Sequence, residues 1–86
     1  MFTSSKGDPH PFGATLDNSG CNFSLFSESA KGVTLVLYKS EDTQHPTIEI
    51  DLDPEINKTF HIWHIHVEGV KSGWCYGYRI HGEWQP

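Results

Sequence analysis

The stretch Trp63-His64-Ile65-His66-Val67-Glu68-Gly69 decides the fold. Trp63, Ile65 and Val67 recur every second residue with histidines between them, and Glu68-Gly69 ends the run. Successive side chains of an extended strand point to opposite faces, so this pattern predicts a strand with one apolar and one polar face. Four further runs read the same way. Cys21, Phe23 and Leu25 follow the Asp17-Asn18-Ser19-Gly20 turn cluster, and Val33, Leu35 and Leu37 follow the Ala30-Lys31-Gly32 break. Ile48, Ile50 and Leu52 end at Asp53-Pro54, and Tyr76, Tyr78 and Ile80 end at Gly82. No window of 11 or more residues carries the 3.6-residue repeat of an amphipathic helix. Five strands plus one or two weaker ones, each hiding one face, predict an all-β protein built as two packed antiparallel sheets.

Size and charge bound the function. Eighty-six residues make one domain, and a chain this short buries only about 60–65% of its unfolded surface. It offers a face, a groove or an edge in place of a deep cleft. Six Lys+Arg stand against 11 Asp+Glu, a formal net charge of −5. Without basic clusters the chain is not suited to nucleic acid or to an anionic membrane, and no apolar run approaches the ~18 residues of a membrane span. The start, Met1 to Pro9, lacks a basic segment followed by an apolar one, so it does not read as a signal peptide. Residues 1–10 are polar and are expected to be a flexible, loosely attached segment, with the ordered domain over 11–86. The final Glu83-Trp84-Gln85-Pro86 reads as a boundary inside a longer protein.

The candidate chemistry is sparse. His61, His64 and His66 cluster, yet an i,i+2 pair on a strand supplies only two of the three or four ligands zinc needs. These histidines are expected on a solvated strand face, with no metal and no cofactor. The acids fall mostly in turns (Asp17, Glu41, Asp42, Asp53, Glu55), and no nucleophile motif accompanies them. Cys21 and Cys75 lie in different predicted strands. Their pairing depends on a separation the sequence does not give, and the plainer reading is two reduced, buried thiols. The aromatics say more: three Trp, three Tyr and five Phe. Sugar rings stack their C–H faces on flat aromatic side chains, as other π contacts do. Trp63 is in phase with the core. Trp74 follows Lys71-Ser72-Gly73 and is placed to cap a sandwich end. Trp84 lies beyond the last strand, where burial within the module is least expected. Trp84 and Trp74 are therefore the candidate contact residues.

Three segments together resemble the N-terminal domain of isoamylase-type debranching enzymes. They are Pro11-Phe12-Gly13-Ala14-Thr15, then Gly20 to Ala30 (Gly-Cys-Asn-Phe-Ser-Leu-Phe-Ser-Glu-Ser-Ala), and Tyr76-Gly77-Tyr78-Arg79-Ile80-His81-Gly82-Glu83-Trp84-Gln85-Pro86. The Trp63-His64 pair and the Glu68-Gly69 turn sit between them at the fitting interval. Asp53 to Thr59 is similar to plant isoamylases. The resemblance implies an immunoglobulin-like "early set" β-sandwich, classed with carbohydrate-binding module family 48, ahead of a catalytic (β/α)8 barrel that hydrolyses α-1,6-glucosidic branches of glycogen or starch. That barrel would carry the catalytic carboxylates, so no catalytic residue falls on this chain. It would be the module's partner, with α-glucan a second one. The parent would be cytoplasmic in a bacterium or stromal in a plastid. The β subunit of AMP-activated kinase belongs to the same module family and binds glycogen through two Trp and a Lys. Trp84 matches the second Trp, the Lys position falls near Gly77, and the first Trp would fall in the Lys39–Thr47 loop, which has no aromatic. The module is therefore expected mainly to dock on the barrel and shape the substrate cleft. The alternatives are a weak, autonomous α-glucan-binding module and an unrelated immunoglobulin-like interaction domain.

Overall fold

All five alternating runs form strands in the computed structural model, which describes residues 3–39 and 45–82. In chain order the strands are β1 (Ser4–Ser5), β2 (Gly13–Leu16), β3 (Gly20–Phe26), β4 (Ala30–Tyr38), β5 (Ile48–Asp51), β6 (Lys58–Thr59), β7 (Ile62–Glu68) and β8 (Cys75–Gly82). One sheet runs β2-β3-β7, with β1 and β6 sharing the far edge of β7; the other runs β5-β4-β8. Every pairing is antiparallel. This is the expected all-β antiparallel sandwich, and no described helix is long and apolar enough to cross a membrane.

The inward faces of β3, β4 and β7 include those the alternation selects. On the edge strand β8 only Tyr78 packs inward, while Tyr76 and Ile80 of the same run are exposed. Cys21, Phe23, Val33, Leu35, Leu37, Trp63, Ile65 and Val67 form one buried cluster, with Tyr78 and Trp74 packed against it. Each large apolar side chain taken fully from water contributes roughly 1.5–3 kcal/mol, so these few residues set the stability of a small domain. Trp63 belongs to this core, as its phase implies.

The outward face of the first sheet departs from expectation. His64 is fully buried, and Asn22 and Ser24 are buried beside it. The cause is the N-terminal segment, whose described part is tied to the sheet and does not hang loose. Ser4 and Ser5 pair with Val67 and His66. The Asp8 N–H donates to Asn22 Oδ1 at 2.8 Å, and Asn22 Nδ2 returns a bond to the Asp8 carbonyl at 3.0 Å. Ser24 Oγ donates to the Pro9 carbonyl at 2.6 Å. His64 Nδ1 donates to the Lys6 carbonyl at 2.7 Å while Nε2 meets the Thr59 hydroxyl at 2.8 Å. A carbonyl only accepts, so Nδ1 carries a proton. Gly7 makes the close approach possible: its φ is +72°, and a Cβ there would lie 2.6 Å from the Ile65 carbonyl carbon. The polar stripe of β3 and β7 thus serves as a set of hydrogen-bond anchors for residues 6–9, and His64 is structural, not solvated.

Candidate functional site

The sandwich has two distinct ends. At one, the 69–74 loop, the start of β3 and the end of β4 enclose a cavity of about 140 Å³. Its floor is apolar, from Cys21, Phe23, Leu37 and Val70, and Trp74 and Tyr76 stand at its rim. Phe23 and Tyr76 meet edge to face with ring centroids 5.1 Å apart. Trp74 is held by its packing on the core and by a turn bond from its N–H to the Lys71 carbonyl at 3.3 Å. A cavity of this size and lining takes one apolar side chain or one face of a sugar ring. A more open depression of about 270 Å³ adjoins it, edged by Leu16, Asp17, Ser19, Val70, Lys71 and Ser72. Of the two candidates from sequence, Trp74 therefore lies on a cavity. Trp84 lies outside the described residues, as does most of the 39–47 loop. At Gly77, where the kinase module's Lys would fall, an added Cβ would meet nothing within 4 Å.

The ionisable groups of the turns serve structure. Asp17 Oδ1 accepts from the Ser19 N–H at 2.8 Å, the Ser19 hydroxyl at 2.9 Å and the Gly20 N–H at 2.9 Å, while Oδ2 meets His66 Nε2 at 2.9 Å. The two backbone N–H groups, then His66, hold its carboxyl well below the usual carboxylate range. It fixes the β2–β3 hairpin turn. Burial pushes the Cys21 thiol and the Tyr78 phenol up. Both cysteines are free thiols. Asp53 accepts from the Glu55 N–H at 2.9 Å, and Asn57 caps the Asp53 N–H at 3.0 Å, which closes the turn before β6. Among the described residues no three His, Cys, Asp or Glu side chains come together to hold a metal ion.

At the other end stands a feature the alternation pattern does not mark. β6 and β7 form a hairpin in which Lys58 pairs with Trp63 and Thr59 with Ile62, leaving Phe60-His61 as a two-residue loop. Both favoured two-residue turns place their first loop residue at positive φ, normally Gly, Asn or Asp. Here it is Phe60, at φ 57° and 78% exposed. A bulky residue in that region costs roughly 1–2 kcal/mol. Its ring lies 3.9 Å from that of His61, which in turn meets Phe26 at 6.1 Å. Phe26 is 52% exposed. His61 Nδ1 is buried without a hydrogen-bond partner among the described residues. The only sequence signal was a large aromatic following Lys58-Thr59, ahead of the alternating run.

Over residues 11–86 the chain matches the family described as carbohydrate-binding module 48 (isoamylase N-terminal domain). The chloroplastic isoamylase 1 of Arabidopsis thaliana is 38% identical over 87 residues, taking in 99% of this chain and 11% of that protein. The glycogen debranching enzyme of Erwinia tasmaniensis is 42% identical over 86 residues, taking in 100% of this chain and 12% of the enzyme. Among solved structures, pullulanase from Paenibacillus barengoltzii, in complex with maltohexaose and alpha-cyclodextrin, superimposes with a TM-score of 0.73. It is 26% identical, over 91% of this chain and 12% of that one. The chain thus spans about a tenth of the length of the proteins it matches. Two antiparallel sheets, a core in the phase set by Cys21, Phe23, Trp63 and Ile65, and a match running from Pro11 to Pro86 lead to one conclusion: the chain belongs to the carbohydrate-binding module 48 (isoamylase N-terminal domain) family.

Proposed function

We propose that this chain is the non-catalytic N-terminal module of an enzyme that hydrolyses α-1,6-glucosidic branches of glycogen- or starch-type glucans. Its task there is to dock on the catalytic (β/α)8 barrel and shape one rim of the substrate cleft. The observation that carries this reading is the extent of the match: the entire chain corresponds to only 11–12% of relatives named as isoamylase and glycogen debranching enzyme. The turn acids Asp17 and Asp53 support it, being engaged in backbone capping. Large apolar side chains left bare at the end where β8 finishes support it too, Ile80 among them at 51% exposure. The relatives include bacterial and chloroplastic enzymes, which fits a bacterial cytoplasm or a plastid stroma.

A second reading has one observation in its favour: Trp74 and Tyr76 rim an apolar cavity that fits a sugar face. On it the module binds α-glucan by itself and raises the local substrate concentration for the enzyme. A single aromatic stack contributes about 0.5–1.5 kcal/mol, which sets such binding in the millimolar range at best. Titration of the 86-residue chain with maltoheptaose, followed by Trp fluorescence and amide chemical shifts, separates the two. Docking alone predicts no saturable change at tens of millimolar sugar. Localised shifts around Trp74 or Trp84 at low-millimolar sugar would overturn it in favour of glucan binding.

A further inference from the structure

β8 delivers the chain to the end of the sandwich that carries Phe60. Gly82 pairs with Ala30, and a Cβ on Gly82 would stand 3.5 Å from the Ser29 carbonyl. Phe26 lies three residues before Ser29, and the Ser27 N–H between them donates to the His61 carbonyl at 2.9 Å. The β6–β7 turn, the end of β3 and the end of β8 are therefore neighbours. The Trp74 cavity lies at the start of β8, roughly 23 Å away by strand length.

Three observations set this end apart. Phe60 holds a backbone conformation that Asn or Gly would hold with less strain, and it buries little of its ring in return. Phe26 and Phe60 flank His61 and leave a continuous aromatic surface bare. His61 Nδ1 is removed from solvent yet unpaired among the described residues, a state it shares with the core atoms Trp63 Nε1 and Tyr78 OH but in a loop beside exposed rings. A residue that strains the isolated module and packs on little of it is explained by a contact the module makes elsewhere. Resting on the docking role proposed above, the geometry points to Phe26, Phe60 and His61 as the surface that seats the module against the domain following it in the same chain. That domain is the occupant because the matched family is an N-terminal domain covering only 11–12% of its relatives, so most of such a parent follows β8, whose last residues lie at this end. His61 Nδ1 takes a hydrogen-bonding group of that domain as its partner.

Amide hydrogen exchange compares the module within its full-length parent chain and as the 86-residue chain. The expected result is at least ~10-fold slower exchange at Phe60, His61 and residues 27–29 in the longer protein. Slowing confined to other parts of the module would overturn this surface while leaving docking in place. No slowing anywhere would overturn docking itself. Phe60→Asn gives an independent readout. In the 86-residue chain it should leave the Tm equal or several degrees higher, and in the parent it should abolish the slowing at His61. A lower Tm in the isolated chain would show that Phe60 supports the fold and would sink the inference.

Discussion

Asn22→Ala tests how the N-terminal segment is held. The Asn22 amide makes a two-point bond to the backbone of Asp8, accepting at 2.8 Å and donating at 3.0 Å, from a buried position in the middle of β3. Each such bond is worth about 0.5–1.5 kcal/mol net. Asp8 is exposed, so water can satisfy its freed N–H and carbonyl, which places the loss at roughly 1–2 kcal/mol. For a domain of this size 1 kcal/mol moves Tm by about 4–8 °C, so a fall of roughly 6–12 °C is expected for a mid-range loss. Thermal unfolding followed by circular dichroism measures it. Amide exchange of residues 4–8 should quicken by more than the global change accounts for, because β1 and the Lys6 contact to His64 lose their neighbour. Asn22→Asp sharpens the test, since it keeps the acceptor for the Asp8 N–H but turns a carboxylate oxygen toward the Asp8 carbonyl. It should be at least as damaging at neutral pH. A Tm change under about 2 °C for Asn22→Ala, with exchange in residues 4–8 unchanged, would refute the claim that β3 anchors this segment.

Gly20→Ala should be among the most damaging small substitutions, since its Cβ would collide with the Val67 carbonyl oxygen and stand 2.7 Å from Glu68 Cα, both on the paired strand. A loss of about 2–4 kcal/mol is expected, read as a collapse of the urea midpoint. Asp17 is stabilised as the carboxylate, so its contribution is complete above its ordinary value of 3.8 and fades as the pH falls below it. Urea midpoints between about pH 5 and pH 2 should therefore fall more steeply in the native chain than in Asp17→Asn. An aromatic disulfide reagent should label the partly buried Cys75 first and reach the fully buried Cys21 only as the domain opens, since burial both shields the Cys21 thiol and holds it protonated. Equal labelling rates would contradict that placement.

Inward faces were legible because burial and period two coincide there. Val33, Leu35 and Leu37 form the middle of β4 and Trp63, Ile65 and Val67 the core face of β7, as their spacing implies. The segment over residues 3–9 was not legible, since it contributes no apolar side chain. Backbone groups of Lys6, Asp8 and Pro9 hold it against Asn22, Ser24 and His64, and hydrogen bonds of that kind leave no periodicity. For the same reason His64 reads as a solvated residue in the sequence and is a buried one in the fold. Of the candidate site, Trp74 could be found because it interrupts a polar turn. The β6–β7 hairpin was hidden because its loop is Phe60-His61, without the Asn-Gly signature that announces a two-residue turn.

The sharing of β7 between β3, β1 and β6 also governs when the domain can close. The Lys6 carbonyl and His64 are 58 positions apart, and Asn22 stands opposite His66. Closing so distant a pair costs loop entropy before any contact returns it. On a ribosome, then, the first sheet stays open until β7 has emerged, long after β3. Until then β3 has only β2 beside it, and its Cys21 and Phe23 face remains uncovered. Residues 3–9 are made before every strand they bind and are among the last to settle, so a change in the chain just ahead of Thr3 would act on the closing step of folding more than on the finished core.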